Sequence, residues 1–147
     1  MSITNKLSLN PGLLKDVQIF VVDNDCDSSD LYAFLLESYG AKVTTLGSII
    51  STLDMLNEFV PDLLICEMRF WGENVLPLIQ RMKYIVLSRG RMIPILGIST
   101  CSATSLVQQI QVKIEAYLLK PIDLEALVDQ VWTLTLQSNI YLASTIR

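Results

Sequence analysis

From residue 17 onward, short apolar runs alternate with amphipathic stretches. The runs fall at residues 17–22, 41–45, 62–66, 93–98 and 116–119. Each has strand length, and several are apolar at consecutive positions, as strands covered on both faces are. Between them the spacing turns helical. Leu31, Phe34, Leu35 and Tyr39 mark one face, with polar Ser38 at the i+7 position; Ser28, Ser29 or Asp30 is available as N-cap, and Gly40 ends the run. Ile50, Leu53, Leu56 and Phe59 mark a second helix, stopped before Pro61. Leu76, Ile79 and Met82 mark a third, extending toward Val86, with Pro77 tolerable only in its first turn. Leu106, Val107 and Ile110 give a weaker fourth over residues 102–112. Leu124, Leu127, Val128, Val131 and Leu134 give the clearest stripe, with Asp123 as its cap. The alternation predicts an α/β domain of the form (βα)5: a doubly wound, five-stranded parallel sheet with right-handed crossovers and helices on both faces.

The ends are simpler. Residues 1–16 read as a polar leader broken by the turn signal Asn10-Pro11-Gly12, and residues 17–137 as the domain. Residues 138–147 carry Ile140, Tyr141, Leu142 and Ile146, which extend the last helix or cover another subunit. That stretch of 10 residues is too short for a DNA-binding output domain, so a single-domain protein acting through non-covalent contacts is expected.

Composition narrows the function. The chain has 147 residues, 51% hydrophobic and 18% charged, which excludes intrinsic disorder. No uncharged apolar run reaches the roughly 18 residues of a spanning helix, and the first residues lack a signal peptide's apolar stretch. No membrane association is expected, and cytoplasm is the expected location. A net charge of −4 announces no nucleic-acid surface. The one concentration of positive charge, Arg81, Lys83, Arg89 and Arg91, reads as a solvated helix end and loop rather than a phosphate-binding patch. There is no histidine, so Ser-His and Cys-His triads and imidazole zinc sites are out. Cys26, Cys66 and Cys101 are an odd number without paired spacing, against a disulfide framework.

In a doubly wound sheet, chemistry gathers at the carboxyl ends of the strands. Four such ends carry suitable groups: Asp23-Asn24-Asp25-Cys26-Asp27, Glu67-Met68-Arg69, Ser99-Thr100-Cys101 and Lys120-Pro121. Carboxylates from two ends, a hydroxyl from a third and a lysine from a fourth would share one shallow site.

On these stretches, with Ile19-Phe-Val-Val-Asp-Asn-Asp25, Pro61-Asp-Leu-Leu-Ile-Cys-Glu67, Ile93-Pro-Ile-Leu-Gly-Ile-Ser99 and Tyr117-Leu-Leu-Lys-Pro121 in order, the chain resembles a response-regulator receiver domain of bacterial two-component signalling. The resemblance covers about residues 17–137 and implies the strand order 2-1-3-4-5. It implies an acidic pair that helps to hold Mg²⁺ at Asp23 and Asn24, and a phospho-acceptor position at Glu67. It further implies phosphoryl contacts at Ser99 and Lys120, and a switch aromatic at Tyr117. The implied partners are a histidine kinase or a downstream effector, bound through the fourth helix, fifth strand and fifth helix; a homodimer is a candidate assembly.

Two departures mark an atypical receiver. The acceptor position is glutamate, and one acidic residue is the amide Asn24. Mg²⁺ prefers carboxylate oxygens in strict octahedral array, so a site on Asp23 and Glu67 is expected to be weak or absent, with Asp25 a substitute ligand. Phosphoryl transfer rests on positioning, and misplacement by about 1 Å costs on the order of 10²-fold. Ordinary aspartyl phosphorylation is therefore not expected. Phe70 and Trp71 are local packing or interface anchors. Cys26, Cys66 and Cys101, near the same edge, are buried hydrophobes or a thiol site. The alternative function is a small flavodoxin-like cofactor-binding or thiol-redox protein. Asp23, Asp25 and Asp27, in a first loop without glycine, make a poor cofactor-phosphate cradle.

Overall fold

The chain builds β1 (Gln18–Val22), α1 (Cys26–Glu37), β2 (Lys42–Leu46), α2 (Ile49–Leu56), β3 (Leu63–Glu67), α3 (Leu76–Arg89), β4 (Ile95–Ser99), β5 (Ala116–Leu119) and α4 (Leu124–Ile146). The structure, a computed structural model, describes residues 10–70, 72–100 and 114–146, with side chains up to Ser138. The expected helix over residues 102–112 lies outside the described residues, as do Trp71 and Cys101. The five strands form one parallel sheet in the order β2-β1-β3-β4-β5. This is the expected doubly wound topology.

β3 and β4 are buried along their whole length, which explains their unbroken apolar sequences. Alternate residues feed two cores. Phe20, Val22, Leu64 and Cys66 point to the layer of α2 and α3, where they meet Ile49, Leu56, Leu78, Ile79, Met82 and Ile85. Ile19, Val21, Leu63 and Ile65 point to the layer of α1 and α4, where they meet Tyr32, Leu36, Leu127, Val128, Val131 and Leu134. Leu14, from the segment before β1, is sealed into this second layer, its N–H donating to the Tyr39 carbonyl at 2.8 Å.

The helices differ from expectation in phase. α1 begins at Cys26 and is capped by Asp25, whose carboxylate accepts from the Asp27 and Ser28 N–H groups; Ser28, Ser29 and Asp30 lie inside the helix. This entry turns Ser29, Tyr32 and Leu36 inward. Leu31 and Phe34, two of the four residues of the expected inner face, stand outside at 47% and 76% exposure. Small Ser29 lets the helix close over the strand end, its hydroxyl donating to the Asp23 carbonyl at 3.4 Å. In α2 the Ser48 cap turns Ile49, Thr52 and Leu56 inward and leaves Ile50 exposed. Thr52 tolerates burial because its hydroxyl donates to the Ser48 carbonyl at 2.8 Å. α3 carries Pro77 in its first turn and ends on Gly90, whose φ of 61° is left-handed. α4 buries Leu127, Val128, Val131 and Leu134 as expected, and the Asp123 carboxylate caps it at the Glu125 N–H, 2.9 Å. Among the described residues no helix is long and apolar enough to cross a membrane.

Candidate functional site at the carboxyl ends of the strands

Parallel pairing in near register lines up the strand ends: Cys66 lies beside Val22, Glu67 beside Ile98, and Ser99 beside Leu119. The next residues of β1 and β5 are Asp23 and Lys120. The Asp23 N–H donates to the Leu46 carbonyl at 3.0 Å, and the Lys120 N–H to the Ser99 carbonyl at 2.8 Å. The backbone thus fixes both charged side chains at one edge.

There the Lys120 ammonium lies 2.8 Å from Asp23 Oδ2 and 3.0 Å from Glu67 Oε1. The side-chain exposures are 15% for Lys120, 0% for Asp23 and 7% for Glu67. Such burial of charge is tolerable only when paired and hydrogen-bonded, and both carboxylates are. Asp23 Oδ1 accepts from the Asp25 N–H and Glu67 Oε2 from the Arg69 N–H, each at 2.9 Å. Burial pulls the Lys120 pKa down, but hydrogen bonds and charge from Asp23 and Glu67 more than offset it, and the net displacement is upward. The ammonium is therefore firmly protonated at neutral pH.

The other expected residues are placed differently. Asn24 is exposed. The Asp25 carboxylate faces its own helix; hydrogen bonds from Ser28 lead the causes that hold its pKa below the ordinary value. Ser99 is fully buried at the end of β4. Tyr117 is half-buried beside Gly97, where an added Cβ would sit 3.2 Å from the Tyr117 ring, 3.1 Å from Met68 and 2.9 Å from Ile114. Glycine suits this position because a Cβ would press on three side chains at once. Phe70 packs into the core, as the packing reading expected.

Mg²⁺ takes oxygen ligands at about 2.0–2.1 Å in near-octahedral geometry. Each oxygen of Asp23 and Glu67 already accepts a hydrogen bond, two of them from an ammonium at the mouth of the pair. Among the described residues, no group of three or more Cys, Asp or Glu side chains is arranged to hold a metal ion. The donor set does not fit Mg²⁺ in this arrangement, and Asp25 does not supply the missing ligand. Cys66 is sealed in the core beside Glu67, and burial first, then the Glu67 and Asp23 charges, push its thiol pKa well above the ordinary value. Cys26 is exposed.

Sequence reasoning found the strand-end residues but missed that Asp25 and Arg69 supply backbone N–H groups to the two carboxylates. The signal was available in part: an Asp two residues before the cap residue of a helix makes this local turn.

Comparison with known proteins places the fold in a family. "Regulator of RpoS" from Escherichia coli (strain K12) is 29% identical over 117 residues, covering 78% of this chain and 34% of the relative. The chain thus spans about a third of that protein's length. The "Uncharacterized 14.6 kDa protein in sodA1 3'region" of Leptolyngbya boryana is 31% identical over 112 residues, covering 75% of this chain and 83% of the relative. Among solved structures, NtrX from Brucella abortus in complex with ATP superposes with a TM-score of 0.77 at 22% identity, covering 88% of this chain and 29% of NtrX. A response regulator receiver protein from Burkholderia phymatum gives 0.70 at 22% identity, covering 82% and 95% of the two chains. These two show the fold alone. The response regulator receiver domain family matches residues 19–132. The chain belongs to the response regulator receiver domain family and is a module of two-component signalling.

Proposed function

We propose that this receiver does not cycle through ordinary aspartyl phosphorylation but acts as an atypical, cytoplasmic response regulator, working by protein–protein contact. One observation carries the reading: the Lys120 ammonium bridges Asp23 and Glu67, occupying with a fixed cation the place where a metal and an incoming phosphoryl group would have to be accommodated. Glu67 is the acceptor-position residue, and Ser99 and Tyr117 stand in the phosphate-contact and switch positions. Glu67 carries its charge one methylene farther than aspartate does, toward Lys120. Two versions remain, a partial mimic of the phosphorylated state and a locked inactive state. A carboxylate supplies about −1 where phosphate supplies roughly −1.5 to −2, so mimicry is partial. Both versions leave phosphate unaccepted.

The partner is a signalling protein such as a histidine kinase or an effector, bound over β5 and α4 with the segment between β4 and β5. Leu119 on β5, 46% exposed, supports that surface. The flavodoxin-like or thiol-redox alternative has less support, because Cys66 is sealed in the core with a raised thiol pKa. The test is intact mass after incubation with acetyl phosphate or a phosphorylated histidine kinase and Mg²⁺. An unchanged mass is expected; a stoichiometric, hydroxylamine-labile adduct on Glu67 or a neighbouring Asp overturns the proposal.

A further inference from the structure

At the amino edge of the sheet, away from the strand-end site, the protein encloses a cavity of about 240 Å³. β3 is five residues long, so about 16 Å of strand separates the two edges. Lys15 and Asp16, before β1, line one side; Thr135 and Ser138, from the C-terminal half of α4, line another. Both segments lie beyond residues 19–132, the stretch shared with the receiver family. Asp62 and Arg91, which precede β3 and β4, complete the polar lining. The volume is far above the roughly 10–15 Å³ that one water needs and below the roughly 300 Å³ at which pockets for drug-sized molecules begin. It has the size for a small metabolite.

The polar groups there are only partly spent. Arg91 gives one nitrogen to Asp62 Oδ1, and its other guanidinium N–H groups have no partner among the described residues. Asp62 is committed, since its Oδ2 accepts from the Gln18 N–H at 2.7 Å. Asp16 lies 3.7 Å from Lys42. Lys15 has no ion pair among the described residues, so the cavity carries one surplus positive charge. Thr135 and Ser138, three residues apart on α4, donate their hydroxyl hydrogens to the carbonyls of Val131 at 2.7 Å and Met92 at 3.5 Å. Their oxygens remain available as acceptors only.

We propose that this cavity binds a short hydroxycarboxylate, a small monoanion with a hydroxyl beside its carboxylate. The carboxylate takes the free N–H groups of Arg91 and the Lys15 ammonium in charge-assisted contacts and cancels the surplus charge. The hydroxyl donates to the Thr135 or Ser138 oxygen. Other small ligands fit only in part. A bare carboxylate offers the two hydroxyl oxygens no donor. An α-amino acid offers a donor but is neutral overall, so the surplus charge stays. A phosphate carries roughly −1.5 to −2 and meets two carboxylates and two acceptor-only hydroxyls. The ligand joins the segment before β1 to α4, which packs on Ile19 and Leu63 through Leu127 and Val131. Occupancy is therefore expected to raise the thermal midpoint, whether or not Glu67 accepts phosphate.

The experiment is titration of the ¹⁵N-labelled full chain at fixed ionic strength, with lactate, glycerate, acetate, L-alanine and inorganic phosphate as separate probes. Lactate or glycerate is expected to give saturable shifts centred on the amides of Val17, Met92 and Thr135. Their dissociation constants are expected on the order of 1 mM, which about six heavy atoms can supply. Acetate, alanine and phosphate are each expected to bind roughly tenfold more weakly, the scale of one lost hydrogen bond or charge contact. Two variants make the test specific. Lys15→Ala should weaken the hydroxycarboxylates roughly tenfold; Thr135→Val with Ser138→Ala should bring them down to the level of acetate and leave acetate unchanged. Should that double variant fail to fold, Lys15→Ala, at an exposed position, carries the test. No saturable shift with either hydroxycarboxylate, equal or tighter binding of acetate, alanine or phosphate, shifts centred instead on Asp25, Arg69 and Lys120, or variants without effect would each overturn the proposal.

Discussion

At the carboxyl edge of the sheet, two buried carboxylates and a half-buried lysine satisfy one another; on the outer faces of α1 and α3, large apolar side chains stand in water. Asp23 is 1% exposed and Phe34 is 76% exposed, an inversion of where their chemistry would send them. The buried charges are tolerable because each carboxylate has both a backbone N–H and the Lys120 ammonium. The exposed apolar groups, Leu31 and Phe34 on α1 and Tyr84 and Leu87 on α3, keep 47–82% of their surface in water. The lesson is a division of labour. Interactions at the strand ends close inside the molecule, whereas these four side chains on α1 and α3 keep their apolar surface in water.

The largest test of this contrast removes the cation. Lys120→Met leaves two carboxylates buried side by side, and breaking a buried pair in this way costs about 3–5 kcal/mol; urea unfolding would measure it. The freed oxygens should then take a divalent ion, so Mg²⁺ is expected to raise the thermal midpoint of Lys120→Met and leave wild type unchanged. Next comes a pair on one helix. Leu36→Ala, from the core side of α1, should cost about 2–5 kcal/mol, whereas Phe34→Ala should stay within about 0.5 kcal/mol. Equal losses would show that Phe34 contributes to the core as Leu36 does.

The same residues show what the sequence made legible. The strand-end inventory, Asp23, Glu67, Ser99 and Lys120, followed from the strand pattern alone, because a parallel sheet leaves little choice about which residues reach its carboxyl edge. Helix phase was harder. Leu31, Phe34, Leu35 and Leu36 make α1 apolar on more than one side, so periodicity could not tell the inner face from the outer. The cap decided it, and the cap was Asp25, outside the Ser28–Asp30 range where the pattern had placed it. Its place at a strand end makes Asp25 a candidate substitute ligand in the sequence; its geometry is that of a helix cap. Sequence gave no access to the backbone N–H groups of Asp25 and Arg69, which depend on how each turn closes.

Smaller effects sharpen the picture further. Ser48 accepts from the Ser51 N–H at 3.0 Å, and Ser48→Ala should cost about 1 kcal/mol, the usual value of a lost cap, without touching the strand-end site. The pH dependence has a definite sign at each end. The Lys120 pKa is raised in the fold, so the stability it draws from Asp23 and Glu67 is complete below the ordinary value of 10.5 and fades above it. Burial raises the Tyr32 pKa, which acts in the same alkaline direction. Asp25 is lowered, so its smaller contribution is present above the ordinary 3.8 and is lost on acidification. Chemical denaturation from pH 3 to 11 should therefore show stability falling at both extremes, with the alkaline loss diminished in Lys120→Met.

The central claim is that the strand-end site is closed to metal and phosphoryl group alike. It is tested most directly by titrating the ¹⁵N-labelled protein with Mg²⁺ and then with beryllofluoride, a phosphoryl mimic, while following the backbone amide resonances of Asp25, Arg69 and Lys120. The account predicts that these three resonances stay in place through both additions. Saturable shifts centred on them would mean that the Lys120 bridge opens and the site works as a phosphate-accepting receiver, and would contradict it.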